Sequence, residues 1–159
     1  MNLAIALSEK KAAQNALARL ISMRDKNLFF DRKKKPELDF LEIEKQIEEK
    51  LKRIDDLKFK ILYTNCHTKL DNGIFLQDAI IKLGNIRSEL NCYNQLLEKD
   101  PEDRLVFFRG SSEVQEYIAQ VDKLYLMKRI EELEKQKYDI DTLIGKTNNM
   151  VELITEIPE

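Results

Sequence analysis

Tryptophan is absent from this 159-residue chain, histidine occurs once, cysteine twice, proline three times and glycine four times. Each scarcity excludes something. So few turn formers argue against a β sandwich or barrel, whose many short strands need frequent Gly- and Pro-rich connections. The lone His67 has Thr64 three residues before it, so the Glu-x-x-His pairs of a di-iron bundle are missing. Cys66, His67 and Cys92 offer no ligand pair at zinc spacing, and neither a metal nor another cofactor is expected. Two cysteines are too few to frame a small secreted domain, which predicts reduced thiols and a cytoplasmic chain.

Long apolar runs are missing too. No stretch approaches the ~18 apolar residues of a membrane span. The opening Met1-Asn2-Leu3-Ala4-Ile5-Ala6-Leu7 lacks the basic start and the apolar length of a signal peptide. Charge of one sign is likewise lacking: 27 Lys and Arg against 29 Asp and Glu leave a net charge of -2. Such a chain has no overall field to attract nucleic acid or an anionic membrane, and neither is an expected partner. Charge itself is abundant, at 35% against about 25% in ordinary domains, and it covers exposed faces with both signs.

What is present is helical periodicity. A chain of this length predicts one domain, residues 1–159, with enough apolar residues for a core. Four stripes predict helices over about 3–24, 36–64, 75–99 and 112–146, with a flexible tail over about 149–159. In the second segment Phe40, Ile43, Ile47, Leu51, Ile54, Leu57 and Ile61 recur every three or four residues, with charged residues between them. Pro36 suits its first turn, where a missing N–H costs nothing. The third stripe is Leu76, Ile80, Leu83, Ile86, Leu90, Tyr93 and Leu97, broken by Pro101. Leu105-Val106-Phe107-Phe108 is a short extended run, and Gly110 punctuates it.

Ser112-Glu113-Val114-Gln115 matches a capping box, and Gly145 is a candidate stop. Between them Val114, Ile118, Val121, Leu124 or Tyr125, Ile130, Leu133, Ile140 and Leu143 or Ile144 form the fourth stripe, whose phase slips near Leu126-Met127. Four amphipathic helices bury their stripes most simply against each other. The expected fold is an antiparallel four-helix bundle, or long helical hairpins with coiled-coil-like packing. A fourth helix of ~36 residues, ~54 Å, would outrun the first and third and leave apolar surface unpartnered. A homo-oligomer is therefore expected.

Chemistry is sparse. Cys66-His67 pairs a thiol with an imidazole, but adjacent side chains diverge and no orienting partner is evident, so no catalytic residue is assigned. Arg32-Lys33-Lys34-Lys35 reads as a solvated loop, and Glu48-Glu49 and Glu131-Glu132 as surface charge. Asn65 and Thr68 continue the stripe of Ile54 and Ile61, so their polar groups point inward and need partners. Arg87 lies one turn from Leu83, where a guanidinium requires an anionic partner. Thr64, Asn65, Thr68 and Arg87 are thus the candidate ligand-binding residues. The competing reading is that they brace a helix end and the Asp71-Asn72-Gly73 turn.

The same stretch carries a family resemblance. Thr64-Asn65-x-x-Thr68-x-Leu70-x-Asn72-Gly73, with Leu76-x-x-Ala79-Ile80 and Ile86-Arg87, resembles the septicolysin-like bacterial proteins. Leu3-Ala4-x-Ala6-Leu7, Val121-Asp122-x-Leu124 and Asp139-x-x-Asp141 are similar too, so the resemblance spans nearly the whole chain. It implies a small all-helical bundle without an established function, and its name implies a cytolysin. The long stripes, the mixed-sign surface and the absence of a catalytic set predict a non-enzymatic, oligomeric interaction or structural protein. A small anionic-ligand or enzymatic site around Thr64, Asn65, Thr68 and Arg87 is the alternative, and a cytolysin-type activity the third.

Overall fold

The structure, a computed structural model, describes residues 1–34, 38–99 and 118–157. Four helices account for most of them: α1 (Leu3–Lys26), α2 (Phe40–His67), α3 (Leu76–Leu97) and α4 (Lys123–Met150). Among the described residues there is no strand, only two isolated bridges, Asn2 to Glu152 and Lys69 to Phe75. The fold is all-α, built of helices packed against one another. Residues 1–77 with 145–159 form one compact unit, and residues 78–144 a second.

In the first unit α1 and α2 make an antiparallel hairpin. Arg24, near the end of α1, donates to Glu44 near the start of α2, while Arg53 reaches back to Glu9. Both guanidinium pKa values are raised, chiefly by those hydrogen bonds to Glu44 and Glu9. The buried row of α2 is Ile43, Ile47, Ile54, Leu57, Ile61 and Thr64, spaced three and four residues apart once Lys50 is counted as its exposed member. That repeat leaves Leu51 about 100° away around the helix, and it is 44% exposed, so the expectation that it joins the core is corrected. Leu3 and Ala6 are the buried residues of α1, while Leu7, Leu17, Leu20 and Ile21 are half-buried.

In the second unit α3 and α4 also run antiparallel. Ile86, Leu90 and Leu133 form its buried centre, with Tyr93, Ile130 and Ile140 packed against them. Arg129 donates to Glu89 at 2.8 Å. Hydrogen bonds to Glu89 and then to Glu132 raise its pKa above the already high arginine value.

Two helix starts differ from expectation. The second helix begins at Phe40, because the Asp39 carboxylate accepts the Leu41 N–H at 2.8 Å and caps it there. Pro36 lies outside the described residues. The fourth helix begins at Lys123, and residues 118–122 are not helical. Asp122 Oδ1 accepts the Tyr125 N–H at 2.7 Å, the bond of an N-cap residue to its third helical position. The capping box at 112–115, the 105–108 run, Pro101, Gly110 and Val114 lie outside the described residues. α4 therefore has 28 residues against 24 in α1 and 22 in α3, so the length mismatch that motivated an unpartnered stripe is much smaller than expected. The phase slip near Leu126 has the same cause: Leu124 and Tyr125 are exposed, and the buried row starts at Leu126. Gly145 does not stop the helix, which continues to Met150.

Candidate functional site

The buried row of α2 ends on a hydroxyl. Thr64 is fully buried, and its Oγ1 donates to the Lys60 carbonyl at 2.8 Å, one turn back. The same oxygen accepts the Ile154 N–H at 3.0 Å, so a single side chain ties the end of α2 to the segment after α4. Asn65, the next residue, is also buried, and Thr147 of α4 is a third buried polar group of this unit. Among the described residues no fully buried side-chain nitrogen or oxygen lacks a hydrogen-bond partner.

The clasp continues at the start of α1. Asn2 Oδ1 accepts the Ile5 N–H at 2.9 Å and caps α1, while its Nδ2 donates to the Asn149 carbonyl at 3.1 Å. Backbone bonds from Leu3 N–H to Val151 and from Leu153 N–H to Met1, both 2.9 Å, complete a short antiparallel pairing, and Leu153 is buried. The tail expected to be flexible over about 149–159 is thus held through Ile154; residues 158–159 lie outside the described residues.

Thr68 caps the other side of the same end. It is extended, and its carbonyl accepts the Leu76 N–H at 2.8 Å, the first residue of α3. Between them the chain reverses tightly: Gly73 N–H donates to Leu70, Leu70 N–H donates to Ile74, and Asn72 Oδ1 accepts the Ile74 N–H. Gly73 sits at φ +83°, the left-handed conformation that L side chains resist. Gly73→Ala is expected to cost about 1–2 kcal/mol of unfolding free energy, read from urea denaturation. Lys146 of α4 pairs with Asp71 of the turn at 2.6 Å.

His67 ends α2 with its ring stacked on Tyr63, centroids 4.0 Å apart. Its Nδ1 lies 2.8 Å from the Tyr63 carbonyl, which only accepts, so Nδ1 carries the proton and donates. The imidazole is engaged along its own helix.

Arg87 belongs to the second unit. Its Nη2 donates to the Asp141 carboxylate at 3.0 and 3.3 Å, and its side chain is exposed, so the inward placement expected from Leu83 is corrected. Ile86 occupies the core position instead, one residue earlier. The anionic partner that Arg87 calls for is supplied by the chain itself. Thr64, Asn65 and Thr68 therefore fall together at one helix end of the first unit, and Arg87 pairs within the second.

Residues 10–153 match the model of a family of unknown function, DUF6847. The chain belongs to that family. It is similar over 97% of its length to the crystal structure of a functionally unknown conserved protein from Corynebacterium diphtheriae, covering 99% of that chain at 25% identity and a TM-score of 0.85. No curated protein matches. Neither of the matching names is the septicolysin-like one.

For this member of the family, the clasp explains which polar residues the sequence reading passed over. Asn2 stands at a helix start and carries a capping signal, yet its second bond, to Asn149, has no local trace. Ile154 and Leu153 lack periodicity because they lie in no helix. Among the described residues no three His, Cys, Asp or Glu side chains gather into a metal-binding group. None of the helices described is long and apolar enough to cross a membrane.

Proposed function

We propose that this protein acts by self-association, as a non-enzymatic interaction or structural protein of the cytoplasm, and that its helices serve as docking faces. The observation that carries this reading is a group of exposed apolar side chains on α2, outside the buried row: Leu51, Phe59 and Leu62 are 44, 60 and 51% exposed. Single exposed leucines are ordinary, whereas several large apolar side chains exposed on one side of a helix mark an interface. The site chemistry favours this reading over an anionic-ligand site. Thr64 Oγ1 has its donor and an acceptor lone pair engaged within the chain, and Arg87 is neutralised by Asp141. Exposed, unpaired Cys66 and Cys92 suit a reducing compartment. Light scattering at tens of micromolar tests the proposal. The expected mass is a multiple of the 18.8 kDa chain, and a monomer mass overturns it.

A further inference from the structure

The face of α2 that holds Leu51 and Leu62 has a symmetry of its own. Leu51, Asp55, Lys58 and Leu62 each stand one residue after a position of the buried row, and so about 100° around the helix from it. They keep its three- and four-residue spacing. Leu51 and Leu62 are equidistant from the midpoint between Asp56 and Leu57, and so are Asp55 and Lys58. These four positions are therefore self-complementary when read in opposite directions: leucine meets leucine, and acid meets base.

Resting on the self-association reading, we infer that the occupant of this face is α2 of a second copy, docked antiparallel about a twofold axis at that midpoint. Leu51 packs against the partner's Leu62, with Phe59 extending the apolar contact on the flank. Asp55 faces the partner's Lys58 on both sides of the axis. Among the described residues these two charges pair only with each other along the helix, at 3.1 Å, and both are exposed. Charged residues set between apolar ones on a docking face fix register and orientation at a cost in affinity. Here they select antiparallel docking, because a parallel dimer would set Asp55 against Asp55 and Lys58 against Lys58. An isologous contact of this kind also closes on itself, which gives a dimer and not a filament.

The test combines charge reversal with cross-linking, and circular dichroism of each variant checks that it folds. Asp55→Lys should raise the dimer Kd about tenfold or more, and adding Lys58→Asp should restore it. With Cys66→Ser and Cys92→Ser as background, a mixture of Leu51→Cys and Leu62→Cys chains should form a disulfide under mild oxidation, and neither variant should do so alone. Self-linking of either variant, no link in any mixture, or an unchanged Kd for Asp55→Lys overturns this docking while a dimeric mass still upholds self-association. A monomeric native chain overturns both.

Discussion

Leu133→Ala should lower the free energy of unfolding by about 2–5 kcal/mol. Leu133 is only 1% exposed and touches the buried Ile86 and Leu90 of α3, so truncation removes apolar contacts from both helices at once. The loss has two parts, the transfer of the missing methyl and methylene groups and the cavity that the helices cannot fully close. The readout is the urea midpoint at unchanged slope, accompanied by a fall in Tm of roughly 2–4 °C per kcal/mol at this chain length. Leu41→Ala is the control, because Leu41 is also a helical leucine but stands 76% exposed. Its effect should stay within about 0.5 kcal/mol. Equal losses at the two positions would contradict the assignment of the buried row.

Thr64→Val should cost about 1–3 kcal/mol although it preserves shape and volume. The substitution deletes an acceptor that Ile154 N–H uses, and that amide then remains at a part-buried site without its partner. Thr64→Ser retains the hydroxyl and should lose less. Hydrogen exchange separates this clasp effect from a general loosening. In Thr64→Val the amides of Ile154, Leu153 and Leu3 should exchange faster under native conditions, because they share the short pairing beyond α4. Amides of the α3–α4 unit, such as that of Leu90, should keep their protection. Loss of protection throughout the molecule would mean that Thr64 supports the whole fold and not this end of it.

These two sites differ in how visible they are in the amino-acid order. Leu133 announces itself by spacing: Ile130, Leu133 and Ile140 recur on one face, and the structure packs all three around the second unit's centre. Thr64 announces itself only as a polar residue in an apolar row. That its hydroxyl holds Ile154, ninety residues on, follows from no local pattern.

Periodicity alone determined that the chain is helical, roughly where its helices run, and that Ile43, Ile47, Ile54, Leu57 and Ile61 share a buried face. A 3.6-residue turn leaves a repeat that any sequence window can show. Tertiary structure decided the rest. Whether Lys50 or Leu51 lies on the core row depends on the helix's rotation against its neighbour, which residue type does not specify. The start of α4 was settled by a single bond from Tyr125 to Asp122, although the apolar spacing runs on upstream through Val121 and Ile118. The tail became ordered through partners at Met1, Leu3 and Thr64, and Arg87 found its counter-charge in Asp141 on another helix. Pairings of that kind join residues far apart in sequence, so they exist only once packing has brought the segments together.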